Sequence, residues 1–198
     1  MKLVLDWDGT VTVRDTQWML LERFGDRDVF ARMEGALGTT HSYRDVMELE
    51  IGTITVPLGE AVAFLVAEAR VRAGFRELVG RFSPLVLSSG FHETIEPILA
   101  REGVEVELVA NRLDPRPDGW RIRWADERPC PVCGDLCKRR ALPEGRPLVF
   151  VGDGYSDRCA ALAADHVFAR RALAEYLDSQ DRAYTPFETF DDIAAALA

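Results

Sequence analysis

The sequence predicts a parallel α/β sheet that carries a separate block of helices. Three observations lead there. Short apolar runs alternate with segments of helical periodicity along most of the chain. Three of those runs end in clusters of Asp, Ser, Thr and Gly. Residues 15 to 75, between the first and second such runs, read as helical with no strand among them.

Element by element, residues 2–7 are an apolar run ending in Asp-Trp-Asp-Gly and predict a buried strand. Asp15 can cap a helix carrying Trp18, Leu21 and Phe24, with Gly25 to stop it. Ser42, with Asp45 three residues on, resembles a capping box at the head of another short helix. Pro57 can open a third, in which Leu58, Ala61, Val62, Leu65, Val66 and Ala69 form an apolar stripe. Strand character returns at residues 84–87, ends in Ser88-Ser89-Gly90, and gives way to a helix through Ile95, Ile98 and Leu99. Residues 104 to 110 alternate and predict a further strand. Pro117-Asp118-Gly119 predicts the turn of a hairpin between residues 111–113 and 120–124. Residues 147–151 predict a buried strand ending in Gly152-Asp153-Gly154, followed by a helix holding Ala160, Ala161, Leu162 and Ala164. Residues 166–169 predict a last strand, and Asp191 or Asp192 starts a C-terminal helix.

The 198 residues suffice for one substantial core with a small inserted lobe. A formal net charge of −9 repels phosphate backbones and anionic lipids, so neither nucleic acid nor membrane is the expected partner. The apolar run at Leu3-Val4-Leu5 is far too short for a signal peptide or a span, and no later stretch escapes charge for about twenty residues. The expected location is the cytoplasm, where Cys130, Cys133, Cys137 and Cys159 stay reduced.

In a parallel sheet the binding crevice lies at the carboxyl ends of the strands, where the polar clusters fall. Asp6 and Asp8 sit two apart, so an extended chain points both the same way. With Asp153 and Asp157 from another strand end they make an oxygen-rich site of the kind that hard cations such as Mg2+ prefer. A single Asp-x-Asp-Gly is often just a turn, but two such clusters at strand ends point to a common site. Ser88, followed by backbone amides at a helix start, can supply donors to a phosphate, and Lys138 a fixed positive charge. Taken singly, Ser88 is more often a helix cap and Lys138 a solvated surface residue.

In order and spacing these pieces resemble the haloacid dehalogenase-like phosphatases. Residues 6–12 (Asp-Trp-Asp-Gly-Thr-Val-Thr) resemble their first motif, Ser88-Ser89-Gly90 the second, Lys138 the third, and Gly152-Asp153-Gly154-Tyr155-Ser156-Asp157 the fourth. The likeness covers nearly the whole chain. It implies a Rossmann-like parallel sheet with a small helical cap inserted after the first strand: residues 1–12 and 76–198 form the core and 13–75 a cap of the phosphoserine-phosphatase type. It also implies a mechanism. Asp6 attacks phosphorus, and Asp8 protonates the leaving oxygen and later activates water. Asp6, the backbone carbonyl of Asp8, and Asp153 hold Mg2+. Asp157 acts from behind them, and Gly9, Thr10, Ser88, Ser89 and Lys138 hold the phosphoryl oxygens of a small phosphorylated metabolite.

Within the family the resemblance is strongest to the methionine-salvage branch acting on 2-hydroxy-3-keto-5-methylthiopentenyl-1-phosphate. It rests on residues 72–75 (Arg-Ala-Gly-Phe), 120–124 (Trp-Arg-Ile-Arg-Trp), the Cys-rich 130–138, and 166–170 (His-Val-Phe-Ala-Arg). Cys137 directly before Lys138 is also similar to phosphoethanolamine and phosphocholine phosphatases. Trp7, where Phe is usual, and Ser89, where Gly is common, depart from the pattern without removing a catalytic group. Phosphoserine phosphatase is the nearest enzymatic alternative, but it wants a cap arginine, for which Arg44 is a weak candidate. A catalytically silent phosphate-binding regulatory protein is the alternative outside enzymes, and the intact set of Asp6, Asp8, Lys138 and Asp153 speaks against it.

Cys130, Cys133 and Cys137 have zinc-like spacing but no obvious fourth ligand nearby, since Cys159 lies beyond the fourth motif. They read as a compact loop of reduced thiols that positions Lys138. Asp15 occupies the position where amino-acid-recognising relatives carry a carboxylate. Trp18, Met33, His41 and Arg44 are candidates to line the cavity. His92 reads as a helix-start or surface residue.

Overall fold

A computed structural model describes residues 1–198. Its centre is a seven-stranded sheet in the order β4-β3-β2-β1-β5-β6-β7. The strands are β1 (Lys2–Leu5), β2 (Leu85–Phe91), β3 (Glu107–Asp114), β4 (Arg121–Arg123), β5 (Leu148–Gly152), β6 (His166–Ala169) and β7 (Thr185–Pro186). All neighbours are parallel except β3 and β4, which form the antiparallel hairpin expected from Pro117-Asp118-Gly119.

Alternation along β1 explains how the sheet is covered. Leu3 and Leu5 face one layer, with Val86, Val149, Val151 and Phe168. Against them pack α5 (Phe75–Phe82), α6 (His92–Glu102) and α9 (Phe190–Ala196). Val4 faces the other layer with Leu85, Leu87 and Phe150, covered by α7 (Arg158–Ala161) and α8 (Arg171–Ser179).

Residues between β1 and α5 form four helices: α1 (Thr16–Phe24), α2 (Arg27–Ala36), α3 (Tyr43–Ile51) and α4 (Leu58–Glu68). Local chemistry sets their ends. The Asp15 side chain accepts from Trp18 N, Ser42 and Asp45 form a full capping box, and Pro57 precedes α4. Two strand-like connectors lead into and out of this lobe and pair with each other: Val13 N donates to Arg70 O and Arg72 N to Val11 O (2.9 and 2.8 Å). The lobe also leans on the hairpin, where Trp120 donates from its backbone to Ile54 O and from its indole to Val56 O. Met19, Leu20, Leu21, Met47, Ile51 and Leu65 join the same apolar core as β1.

Some boundaries differ from the sequence expectations. The strand expected at 104–110 begins at Glu107, because Gly103 ends α6 in a left-handed conformation (φ +62°) and residues 104–106 cross back to the sheet. The C-terminal helix is capped by Thr189, whose hydroxyl accepts from Asp192 N, so Asp192 lies in the first turn.

Candidate active site

The site assembles where β2, β1 and β5 end side by side. Register pairs Leu5 with Val86 and with Val151, so the residues just beyond each strand are neighbours. Asp6 follows β1 directly, and its amide donates to Val151 O (2.9 Å). Trp7 turns inward, fully buried with its ring edge-on to Phe75, while Asp6 and Asp8 both face a cavity of about 920 Å³. The turn Trp7–Val11 holds Gly9 at φ +74°, with its carbonyl and those of Thr10 and Thr12 accepting from the buried Arg72 guanidinium.

Lys138 is 4% exposed, and its ammonium bridges Asp6 Oδ1 and Asp157 Oδ1, the latter at 2.6 Å. Asp157 Oδ2 accepts from the amides of Asp153 and Gly154, both at 3.0 Å. Asp153 in turn lies beside Thr10 Oγ1 (3.4 Å) and Arg171 (3.6 Å). Carboxylate oxygens of Asp6, Asp153 and Asp157 come within 4.8 Å of one another. Asp8 stands apart from that trio, its Oδ1 accepting from the amide and hydroxyl of Thr16.

The charges do not balance. Three buried carboxylates face one buried ammonium and, at Asp153, the half-exposed Arg171 guanidinium. Burial and the neighbouring Asp157 push the Asp6 carboxyl well above the usual range, against the pull of Lys138. Burial and Asp157 likewise push Asp153 up to about 6. For Lys138, burial favours the neutral amine, but Asp157 and Asp6 more than offset it and hold the ammonium charged. Burial raises Asp8 too, against its bonds to Thr16. Such an excess of buried oxygen ligands is the donor set a hard divalent cation fits.

The family model for haloacid dehalogenase-like hydrolases matches residues 3–162. The chain belongs to that family. A polyol phosphate phosphatase of Saccharomyces cerevisiae is 30% identical over 217 residues, covering 97% of this chain and 90% of that protein. A 2-hydroxy-3-keto-5-methylthiopentenyl-1-phosphate phosphatase of Bacillus mycoides is 28% identical, covering all of this chain and 95% of the relative. Among solved structures, a phospho-aspartyl intermediate analogue of phosphoserine phosphatase superposes with TM-score 0.66 at 20% identity over 98% of both chains. A phosphoserine phosphatase from T. onnurineus gives TM-score 0.68 at 19% identity, over 97% of this chain and 91% of that one. The chain is thus a haloacid dehalogenase-like phosphatase with that family's fold.

In this haloacid dehalogenase-like frame the sequence-predicted residues fall in two shells. Asp6, Asp8, Ser89, Asp153 and Asp157 line the cavity. Ser88 and Lys138 are buried at 6% and 4%. Ser88 Oγ accepts from Gly90 N (2.9 Å), which leaves its hydroxyl hydrogen free to donate. Gly9 N donates to Thr12 Oγ1 and Thr10 Oγ1 to Asp153.

Of the lobe residues expected at the cavity, Trp18 and Asp15 line it, while Met33, His41 and Arg44 do not. Arg44 points away, paired with Glu48 and Glu127 over the Trp124 ring. His41 bonds Thr40, and His92 pairs with Glu96 on the surface of α6.

Sequence reasoning missed three residues. Arg72 appeared only within a family-like stretch, and nothing local marks a buried arginine that collects carbonyls from a distant turn. Asn111 shows in the sequence only as part of a hairpin; its side-chain amide donates to Ser89 O and its oxygen accepts from Ala125 N. Glu50 did leave a signal. It sits on the apolar stripe of α3 with Val46, Met47 and Ile51. It is 2% exposed, its Oε1 lacks a partner, and it lines the cavity. Burial, with Glu34 nearby, pushes its carboxyl up to about 8.

Proposed function

We propose that the chain is a magnesium-dependent phosphomonoesterase that forms an aspartyl-phosphate on Asp6. The observation that carries this is the meeting at one cavity of Asp6 and Asp8 from the end of β1 and Asp153 and Asp157 from the end of β5, with Lys138 from the 3-10 turn before β5 bonded to Asp6 and Asp157. Asp6 attacks phosphorus with the carboxylate oxygen not engaged by Lys138. The Lys138 ammonium favours the ionised form of Asp6 against burial and Asp157 and, with Ser88 and Ser89, receives phosphoryl oxygens. Asp8, its carboxyl raised by burial and held in place by Thr16, donates a proton to the departing oxygen. The resulting Asp8 carboxylate then takes a proton from the water that hydrolyses the phosphoenzyme. Asp157 orients both Lys138 and the amides beside Asp153. Asp6, Asp153 and the Asp8 carbonyl would hold Mg2+, which would supply positive charge to offset nucleophile and phosphate. Residues 13–75 act as the cap that closes over the substrate.

The cap side of the cavity selects the tail. Within residues 13–75 the cavity is lined by Glu34, Glu50, Met47, Val46, Trp18 and Gln17 among others, and by a single arginine, Arg14, which is paired with Glu22. A substrate carboxylate such as that of phosphoserine meets the carboxyl groups of Glu34 and Glu50 there, while the one arginine, Arg14, is already engaged by Glu22. An uncharged, oxygen-bearing chain with an apolar end fits instead, which supports a 2-hydroxy-3-keto-5-methylthiopentenyl-1-phosphate-like substrate. A polyol phosphate is the second reading, favoured by the 30% identical yeast relative.

A panel of phosphorylated metabolites, assayed for released phosphate after chelation and again with Mg2+ restored, tests both parts. Hydroxyketone or polyol phosphates should exceed phosphoserine at least tenfold in kcat/KM, and chelation should abolish turnover. Phosphoserine as the best substrate would overturn the substrate reading, and turnover that survives chelation would overturn the metal.

A further inference from the structure

We propose that Cys130, Cys133, Cys137 and Cys159 bind one zinc ion as a closed structural site. Their four sulfurs all lie within 4.8 Å of one another. Cys130 Sγ and Cys159 Sγ are 3.8 Å apart. A tetrahedron with Zn–S bonds of about 2.3 Å has edges of about 3.8 Å, so that pair already stands at the separation a shared ion sets. A disulfide needs about 2.05 Å, and all four cysteines are free thiols. A group this tight has room for a single ion at its centre, and four thiolates leave no open position for substrate.

The backbone around the thiols is shaped for the same purpose. Cys130 and Cys133 bracket a turn in which Gly134 N donates to Cys130 O and Cys130 N to Asp135 O, both at 2.9 Å. Gly134 has φ +78°, which lets the chain fold back toward Cys137. Val132 N points at Cys130 Sγ (3.4 Å), a donor that stabilises a thiolate. Cys159 arrives from the opposite side on α7. It is the fourth ligand that spacing alone did not supply.

Between β4 and β5 the chain has only one 3-10 turn, Lys138–Ala141, as regular structure. A segment of that length needs something to hold it, and a tetrathiolate ion does so without a core. The ion also bears on Lys138 and Asp157. Cys137 immediately precedes Lys138, and Cys159 follows Asp157 by two residues. Zinc would clamp the two backbones that bring the Lys138 ammonium to Asp157 and Asp6. The metal site stands without the catalytic reading; this positioning role rests on it.

The test is elemental analysis of the purified, chromatographed wild-type chain, with the thiols kept reduced. One zinc per chain is expected, released in step with titration of four thiols by a mercurial reagent. Refolding with cobalt should give the intense visible bands of a tetrahedral cobalt thiolate. Cys133→Ser should lose stoichiometric zinc and lower the Tm. No metal in the wild type, a stoichiometric iron in its place, or full zinc retention in Cys133→Ser would each overturn the site. The wild-type measurement decides the matter even if the variant does not fold. The positioning role is read separately: zinc-depleted, folded protein should lose kcat with little change in KM, and unchanged kcat would overturn that role alone.

Discussion

Gly9→Ala should damage the site more than any other single added methyl group. Gly9 has φ +74°, a conformation that costs an L-residue about 1–2 kcal/mol. In a chain of this size each kcal/mol lowers Tm by about 2–4 °C, so strain alone predicts a fall of about 2–8 °C. The steric term is worse. A Cβ would lie 2.2 Å from Asp153 Oδ2 and 2.8 Å from its Cγ, where ordinary contact begins at 3.4 Å. Either the Asp153 carboxylate or the turn carrying Asp6 and Asp8 must shift by roughly 1 Å. A displacement of that size costs about 10²-fold in rate when reacting groups must align. The assay is steady-state kcat on the best metabolite together with Mg2+ titration, both of which should worsen. Gly80→Ala on the exposed face of α5 is the control: its Cβ meets nothing within 4 Å, so activity should be unchanged and stability slightly raised. A folded Gly9→Ala protein with wild-type kcat and Mg2+ affinity would refute the placement of Asp153 against this turn.

Arg72→Met should destabilise the chain by at least about 2 kcal/mol in urea denaturation, because several buried carbonyls lose their donor at about 1–3 kcal/mol each; a loss under about 0.5 kcal/mol would contradict the bracing role. Glu50 should make stability fall as pH rises. Its folded-state value of about 8 lies above the ordinary 4.5, so between those pH values the native state binds more protons than the unfolded one. The decline approaches about 1.4 kcal/mol per pH unit at its steepest. Glu50→Gln should flatten that stretch of a Tm-versus-pH curve, and a variant curve parallel to the wild type would count against the burial of an unpaired carboxyl.

How much of this was legible beforehand follows from range. Chemistry carried by neighbours in sequence could be read: the capping box of Ser42 and Asp45, the cap at Asp15, the turn at Pro117-Asp118-Gly119, and the polar strand ends. Helix α8 buries only Leu173 and Leu177, too few to show a period, whereas α5 does carry one, Phe75, Leu78, Val79 and Phe82 at i, i+3, i+4 and i+7, a signal the sequence expectations leave unused. The site itself was legible in its residue types because strand ends bring them together by topology. What was illegible depended on three-dimensional approach. Arg72 reaches a turn more than sixty positions away in the chain, and Cys159 meets the other thiols only because α7 returns beneath Lys138. Arg44, by contrast, has the right charge in the right lobe but lies on the outer side of α3, where Glu48 and Glu127 take it.

The central claim is that Asp6 becomes phosphorylated, and rapid-quench kinetics with mass spectrometry of the Asp6 peptide tests it most directly. Wild type should show a burst of phosphoenzyme with the phosphoryl group on Asp6. Asp8→Asn keeps the nucleophile but lacks the proton donor and base. It should lose about 10²- to 10⁴-fold on a metabolite with a poor leaving group, much less in phosphoenzyme formation from a nitrophenyl ester, and should accumulate phosphoenzyme because its hydrolysis is slowed. Asp6→Asn should show no burst with either substrate. A phosphoenzyme on Asp6→Asn, or a wild-type phosphoryl group found on any other residue, would contradict the account.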